Sequence, residues 1–450
     1  MIKTKFITIT VLLCTVIALE ESCKKYLDEK SDMSLAEPTT VKELRGILQH
    51  PIMSAEYAYA PMIAVDVVKF SPQNWSFVNT KNRDIHLWEP NTDLIDDWQN
   101  AYFRIKNSNV VLSYIDKIQD QASTIGDRNL VKGEALFYRA FNWWELSQLF
   151  SPQPAIGNLN DRLGVPLKTS ADVEDKTVRS TIKETCDKII ADLKESAELL
   201  PRVPEQKHYP SKAASYGLLA RTYLQIGKFD SSIRYAGLCL KEYSELIDYN
   251  NRDLNAVFPF EKLNPEVIFH ATARFNSNFS SRQTIDTALI NLYAEDDLRI
   301  KAFFKKSGSL YSFKGSYSGS ISTLFTGIAT DEIYLIRSES LARLGFIEPA
   351  LNDLNTLLQK RWKTGTYVPY IPDNPMLLLK VILLERRKEL VLRNLRFSDL
   401  RRLNADNSLS QTIQRNIDGK IYTLPPNDLR YTFLIPPIVI EKSGIQQNPR

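Results

Sequence analysis

The sequence predicts a mainly α-helical protein, in which helix pairs form a scaffold and an irregular, loop-rich lobe with short strands interrupts it. Apolar residues recur at three- and four-residue spacing along much of the 450-residue chain, which is the period of a buried helix face. Glycine is scarce, with 16 residues, and two long stretches show no sustained period. The length allows one large domain or two to three smaller ones.

Composition restricts the classes of partner. The chain has 57 Lys and Arg against 53 Asp and Glu, a formal net charge of +4. This excess is too small for a general phosphate-binding surface, where clustered positive charge supplies most of the affinity. We therefore expect no nucleic-acid partner.

The N-terminal segment differs from the rest of the chain. Lys3 and Lys5 precede an apolar run from Phe6 to Leu19, which is too short to span a bilayer but typical of a signal-peptide core. Ser22 and Cys23 follow, as in bacterial lipoprotein signals whose cysteine carries the lipid. We predict export, lipidation of Cys23 and attachment to the membrane through that lipid. Simple secretion, with this cysteine in a disulfide, is the alternative.

Helices are predicted from periodicity and capping signals. Thr40, followed three residues later by Glu43, forms a capping box that begins a helix through about Gln49. Cys186 and Cys239 each lie in an amphipathic helical pattern, where a buried free thiol is the usual state and a disulfide the less favoured one. The further predicted helices cover residues 96–118, 127–150, 178–200, 211–227 and 230–246.

Two stretches lack helical periodicity. Residues 51–97 combine four prolines with Asn, Asp and aromatic residues, which predicts long loops with short turns. The tail from Lys420 is rich in proline, and we expect an extended strap laid over the scaffold. Within residues 251–330 we predict short strands or a helix at Val257–Phe258, Val267–Phe269 and Leu289–Tyr293, and irregular structure at Ser307–Thr326.

Two glycines, Gly227 and Gly345, mark the turns of a repeated helix pair. The positions seven before and five after each glycine are small, which lets antiparallel helices approach closely, as in tetratricopeptide-like repeats. An ordinary helical hairpin with the same packing rules is the alternative for each repeat. The small residues are Ala220 and Ser232 around the first glycine and Ser338 and Ala350 around the second.

The sequence lacks the common catalytic and metal-binding motifs. Its four histidines share no short spacing, and no glycine-rich phosphate loop precedes a Lys-Ser or Lys-Thr pair, so we predict no metal and no cofactor. The acidic clusters Asp96–Asp97 and Glu295–Asp297 could supply the carboxylate pair of a glycoside hydrolase. Both flank predicted element ends, where acids usually cap helices or face solvent, so we predict no catalytic residue. The alternating charges of Glu385–Arg402 favour ion pairs over a ligand site.

Aromatic residues in the irregular stretches are the candidate ligand residues. Sugar rings stack their C–H faces on aromatic rings, while Asn, Asp and Arg side chains hydrogen-bond the hydroxyls. We predict that Trp75 and Trp88 from the first stretch, with Tyr311 and Tyr317 from the second, contribute to one shallow oligosaccharide site. Phe77 also lies in the first stretch. The alternative is that these rings pin the loops to the scaffold.

Six sequence blocks follow one another along nearly the whole chain. They are Cys23–Glu29, Trp98–Asn109, Arg139–Phe150, Asp331–Glu339, Glu385–Arg402 and Gln447–Pro449. In this order they resemble the SusD/RagB family of outer-membrane lipoproteins.

The resemblance implies a surface-exposed, lipid-anchored binding protein of the outer membrane, not an enzyme. It implies tetratricopeptide-like helix pairs and capture of glycan or other nutrient fragments for a SusC-type TonB-dependent transporter. Ligand residues vary within the family, so none is transferred. An extracellular tetratricopeptide-type interaction scaffold and, less favoured, a glycoside hydrolase are the alternatives. The expected regions are a signal peptide at 1–22, an N-terminal helical region at 23–250, a mixed lobe at 251–330, and a C-terminal helical region with the strap at 331–450.

Overall fold

The computed structural model describes residues 37–154, 158–172, 174–274, 282–320, 322–372 and 374–450. Within these ranges the chain forms sixteen α-helices and twelve short strands. The predicted signal peptide and Cys23 lie outside the described residues. No described helix combines the length and the apolar character that crossing a bilayer requires.

The first described helix, α1 (Val41–Leu48), begins with the predicted capping box. The Thr40 hydroxyl accepts a hydrogen bond from the Glu43 backbone N–H at 3.1 Å, and the Glu43 carboxylate accepts one from the Thr40 N–H at 3.1 Å. The long loops predicted for residues 51–97 are wrong, because short elements fill much of this stretch. These are a 3₁₀ turn (Pro51–Ser54), α2 (Ala60–Ile63), β1 (Val68–Lys69), α3 (Pro72–Ser76) and α4 (Thr80–Leu87).

The longer helices form the scaffold, and the five later helices predicted from periodicity are confirmed, with ends shifted by a few residues. They are α5 (Ile95–Tyr114), α6 (Ile125–Phe150), α7 (Ile182–Leu199), α8 (Lys212–Gln225) and α9 (Phe229–Glu242). Each packs on the next, and α9 packs on a second group of helices. That group is α12 (Thr330–Arg343), α13 (Ile347–Leu358), α14 (Pro375–Glu389) and α15 (Arg396–Leu403).

The repeated helix pair is present at both predicted glycines. Gly227 joins α8 to α9 with φ +72°, and Gly345 joins α12 to α13 with φ +82°. Other residues rarely adopt this left-handed conformation, so glycine allows the chain to reverse direction tightly.

Serine side chains bond the two helices of each pair at the predicted small positions. Ser232 on α9 donates to the Ala220 carbonyl of α8 at 3.1 Å, while Ser338 on α12 donates to the Ala350 carbonyl of α13 at 2.7 Å. Ser340 donates to the Ser232 hydroxyl at 3.0 Å and thereby joins the two pairs. The tetratricopeptide-like scaffold is confirmed.

Two-stranded antiparallel ribbons complete the fold. The pairs are β1 with β6 (Thr284–Ile285), β2 (Leu163–Pro166) with β3 (Arg179–Thr181), β4 (Val267–Phe269) with β10 (Ile328–Ala329), β5 (Thr272–Arg274) with β9 (Thr323–Phe325), β7 (Phe304–Ser307) with β8 (Leu310–Phe313), and β11 (Ile413–Ile417) with β12 (Lys420–Leu424).

The lobe predictions have mixed outcomes. The strand at Val267–Phe269 is confirmed, and Leu289 lies in the short helix α10 (Thr287–Ile290). Val257 and Phe258 form no strand and are exposed. The irregular structure predicted for Ser307–Thr326 is wrong in part, since this segment includes the end of β7, the whole of β8 and β9. A short helix, α11 (Arg299–Phe303), precedes the β7–β8 hairpin.

The C-terminal tail is folded rather than a wholly extended strap. It contains β12, a 3₁₀ turn (Leu429–Tyr431) and α16 (Pro437–Ser443). Its end lies on the scaffold, because the Asn448 side chain donates to the Phe150 carbonyl of α6 at 2.9 Å and to the Phe433 carbonyl at 2.8 Å.

Cys186 and Cys239 are buried and unpaired, as predicted. The Glu385–Arg402 segment forms the predicted ion pairs, most of them buried. Examples are Arg386 with Asp399 at 2.8 Å, Arg402 with Glu339 at 2.5 Å and Arg393 with Asp331 at 3.1 Å. Asp297 is not a solvated turn, because it is fully buried against Arg299 at 2.7 Å, and its carboxylate also accepts from the Arg299 backbone N–H at the start of α11 at 3.1 Å.

Candidate functional site

An open cleft of about 480 Å³ lies between β1, α4 and the β11–β12 hairpin, and we call it the Phe70 cleft. The antiparallel β1–β6 pairing sets Lys69 opposite Thr284, and the Lys69 side chain reaches diagonally to Asp286, two residues further on. The lining residues are Asp66, Val68, Lys69, Phe70, His86, Asp286, Gln414, Arg415, Asn416, Ile417 and Ile421.

An aromatic cluster supports the cleft from below. The Phe70 ring is half-buried and contacts the Trp75 and His86 rings, with centroid distances of 5.5 and 5.0 Å. Ser71 caps α3 by accepting from the Asn74 N–H at 3.2 Å, which sets Phe70 immediately before the cap and Trp75 at the fourth helical position. These two positions are the partners of a hydrophobic staple, so the local sequence folds Trp75 inward.

Arg415 connects the hairpin to the residues beneath the other side of the Phe70 cleft. Its guanidinium lies 4.3 Å from the centre of the Trp88 ring and donates to the Val65 carbonyl at 2.8 Å and to the His86 carbonyl. The Trp88 indole N–H donates to the Ala64 carbonyl at 2.7 Å. Burial lowers the pKa of Arg415 to about 9, so the guanidinium stays charged at neutral pH.

Both carboxylates of the cleft are paired with cations. Burial alone would raise the pKa of Asp66, but ion pairs with Arg396 at 2.9 Å and Arg387 at 3.0 Å hold it well below its ordinary value. The Lys69 ammonium lies 2.7 Å from Asp286 at the rim. Two carboxylates, Asp66 and Asp286, face two cations, Lys69 and Arg415, so the lining as a whole carries no net charge.

The hairpin supplies neutral polar groups. Gln414 and Asn416 alternate with buried residues along β11, so both amides lie on its exposed face. Amides beside a half-exposed Phe70 ring offer hydrogen bonds to hydroxyls next to a surface for C–H groups. The Phe70 cleft therefore has the chemistry for a neutral, polyhydroxylated ligand.

Phe77 is the exposed aromatic ring nearest to this cluster in sequence. It ends α3 with 63% of its surface exposed, and the Arg282 guanidinium lies 5.5 Å from its ring. Asn74 donates to the Arg282 carbonyl at 3.0 Å and holds the two segments together. Sequence reasoning did not select Phe77 as a site residue.

The four predicted site residues do not form one exposed surface. Trp75, Trp88 and Tyr317 are 8%, 2% and 1% exposed, so the prediction that their rings face solvent is wrong. The two tryptophans lie beneath the Phe70 cleft. Tyr317 packs elsewhere, and its hydroxyl donates to the Glu266 carboxylate at 2.5 Å. Only Tyr311 is half-exposed; it lies on β8, which packs beside β6.

Three buried acids, Glu266, Asp331 and Glu389, each bring one oxygen to within 4.8 Å of the others. Arg361 donates to both Glu266 and Glu389 at 2.7 Å, and Arg393 donates to Asp331 at 3.1 Å. A metal ion would face these guanidinium groups, and the carboxylates are already engaged. We therefore assign this cluster to the ion pairs of the scaffold.

Two family models match the chain. One is described as starch-binding associating with outer membrane and matches residues 25–224. The other is described as the SusD family and matches residues 330–433. Together they cover about two thirds of the sequence.

A curated relative is the SusD-like protein P2 of Formosa agariphila, which is 32% identical over 139 residues. The match covers 31% of this chain and 25% of that protein, so the chain spans about a quarter of the relative's length.

Solved structures share the fold over nearly the whole chain. One is a Bacteroides vulgatus protein described as a "putative sugar binding protein". It has a TM-score of 0.73 and 20% identity, and the match covers 92% of this chain and 99% of that protein. A SusD superfamily protein from Bacteroides thetaiotaomicron has a TM-score of 0.74 and 20% identity, covering 91% and 98%.

Proposed function

The chain belongs to the SusD/RagB family of SusD-like carbohydrate-binding proteins, and we propose that it captures glycan or other nutrient fragments at the outer membrane without transforming them. The Phe70 cleft is the observation that carries this proposal. It combines a half-exposed aromatic ring, exposed amides and paired charges, which suits an uncharged ligand rich in hydroxyls.

In this proposal a sugar ring stacks on Phe77 or Phe70, and its hydroxyls bond to Gln414 and Asn416. Trp75 and Trp88 act indirectly, because they hold Phe70 and Arg415 in place. Tyr311 extends the ligand face beyond β6. Tyr317 has no direct part in it, since its ring is buried.

We further propose that the captured ligand passes to a SusC-type TonB-dependent transporter. The stacked helices offer a broad, rigid face for a partner, and the small net charge does not oppose association. A lipid on Cys23 keeps the protein at the outer membrane, on its outer face. One acyl chain binds a bilayer only marginally, so stable anchoring needs several.

The test is calorimetry with neutral oligosaccharides, using Phe70→Ala, Phe77→Ala and the matched control Phe346→Ala. Phe346 is also exposed, at 53%, but lies at the turn between α12 and α13. Losing one stacking ring costs about 1–2 kcal/mol, so at least one of the first two variants should bind about five- to thirtyfold more weakly. Phe346→Ala should bind like the unmodified protein. Equal affinity in all four proteins, or release of new reducing ends from the glycan, would contradict the proposal.

A further inference from the structure

A second pocket, of about 380 Å³, lies between the end of α6, α15 and the 3₁₀ turn at Leu429–Tyr431. Its polar lining includes Gln153, Arg162, Arg401, Asn404 and Tyr431, none of which lines the Phe70 cleft. The volume falls within the range of about 300–1,000 Å³ usual for small-molecule sites. We call it the Arg162–Arg401 pocket.

Three buried groups in this lining can donate hydrogen bonds but make none of good geometry with that donor. Arg401 is 2% exposed; its two terminal nitrogens donate to the carbonyls of Gln148 and Ser151, but its Nε–H has no acceptor. Asn404 is 1% exposed and accepts from the Gln411 N–H at 3.2 Å, whereas its Nδ2 has no acceptor.

The third group is the Tyr431 hydroxyl, which belongs to a residue 5% exposed. The Asn404 side chain makes a contact with this hydroxyl that lowers the pKa of Tyr431, but the geometry of that contact is poor for a hydrogen bond. An unpaired buried donor costs free energy that a suitable acceptor recovers. The pocket thus lacks acceptors rather than donors.

The charge of the pocket lining also favours an anion. Among the described residues, no carboxylate oxygen comes within 4.0 Å of the Arg162 or Arg401 guanidinium; Arg162 bonds instead to the Gln153 carbonyl at 3.1 Å. Burial lowers the pKa of Arg401 to about 9, and the like charge of Arg162 adds to this effect. Both arginines remain cationic at neutral pH.

Asp428 is the carboxylate of the lining, and it is already neutralised. Its two oxygens accept from the Arg430 Nε and terminal nitrogen at 2.9 and 2.8 Å. The pocket therefore keeps an excess of positive charge.

We propose that the Arg162–Arg401 pocket is a ligand site that takes an anionic oxygen group, a carboxylate or a sulfate, carried by a small polar molecule. The group accepts from the free donors of Arg401, Asn404 and Tyr431, and Arg162 supplies the second positive charge. A carboxylate or a sulfate accepts hydrogen bonds from the buried donors and also balances the positive charge of the arginines. A neutral hydroxyl group only accepts hydrogen bonds.

Calorimetry at low ionic strength tests this with galacturonate, glucose 6-sulfate, sodium sulfate and glucose as probes. We expect galacturonate, glucose 6-sulfate or sodium sulfate to bind ten times or more tightly than glucose. Tighter binding of galacturonate indicates a carboxylate site, and tighter binding of either sulfate indicates a sulfate site. Binding should weaken with added NaCl. If no anion binds more tightly than glucose, the proposal is overturned.

Variants locate the binding. Arg162→Gln removes one charge and Asn404→Asp replaces a free donor with an acceptor of the same shape, so each should weaken anion binding about tenfold or more. Arg252→Gln is the control, because this arginine pairs with the exposed Glu261 away from the pocket. Thermal melts establish that each variant is folded. Unchanged anion affinity in a folded Arg162→Gln or Asn404→Asp protein would refute the site.

Discussion

Trp88 shows how a single buried ring supports the Phe70 cleft. It packs under Arg415, and its indole bonds to the Ala64 carbonyl. Truncating a buried aromatic residue typically costs about 3–5 kcal/mol, so Trp88→Ala should lower the free energy of unfolding by that amount. Phe77→Ala, at an exposed ring, should change it by less than about 0.5 kcal/mol. Urea denaturation measures both, and a similar small effect in the two variants would contradict the assigned burial.

Asp97 and Glu145 give the protein a pH dependence of known sign. Burial raises the pKa of Asp97 to about 7 and that of Glu145 to about 8, so both acids are neutral in the folded protein under mildly acidic conditions. At these two groups the folded chain then binds more protons than the unfolded chain, and their contribution to stability falls as the pH rises from about 4 to 8.

Asp97→Asn and Glu145→Gln should flatten this fall. Thermal melts of the variants at pH 5 and pH 8 measure it, with Asp187→Asn as the control, because Asp187 is exposed and pairs with Lys183 on α7. A wild-type melting temperature that rises over this pH range, and rises equally in the variants, would show that these acids are ionised in the folded state.

Local sequence predicts some of these positions and not others. Phe70, Ser71, Pro72 and Trp75 form a hydrophobic-staple pattern that is recognisable in the sequence. This pattern could have indicated that Trp75 is buried while Phe77, at the end of α3, is exposed. Trp88 carries no such signal. Its burial depends on Arg415, which is distant in sequence and reaches it only through the fold.

The helix pairs depend on their turn glycines. Gly345 has φ +82° and open space around it, so a methyl group meets no neighbour and the cost of Gly345→Ala is backbone strain alone, about 1–2 kcal/mol. Gly46 in α1 also has open space and no positive φ, so Gly46→Ala should stabilise the protein by about 0.5–1 kcal/mol. Thermal denaturation compares the two, and the same sign in both variants would contradict the turn assignment.

Helices were more predictable than strands for a physical reason. A helix is stabilised by neighbours three and four residues apart, so its apolar stripe and its caps are visible in the local sequence. Each strand of the lobe gains its partner through contacts distant in sequence, as when β1 pairs with β6. The Phe70 cleft forms at that pairing, which explains why its lining could not be predicted.

For the protein as a whole, the anchor gives a cellular prediction. Cys23→Ala should release the protein from membrane fractions into soluble ones, because the lipid is the proposed attachment. Fractionation with fatty-acid labelling measures this, and Cys186→Ala is the control, since that thiol is buried and unpaired. Membrane retention of Cys23→Ala would contradict lipid anchoring.

The proposed association with a transporter gives a second cellular prediction. Purification in mild detergent from native membranes should recover the protein together with a TonB-dependent transporter. Recovery as a free monomer, with the transporter expressed, would count against the proposed partner while leaving glycan binding intact.

A crystal structure of the protein with its tightest-binding neutral oligosaccharide would examine the proposed function at the cleft itself. We expect a sugar ring stacked on Phe77 or Phe70, with hydroxyls within hydrogen-bond distance of Gln414 or Asn416. Sugar density bound elsewhere, with the Phe70 cleft empty at a saturating ligand concentration, would contradict the account.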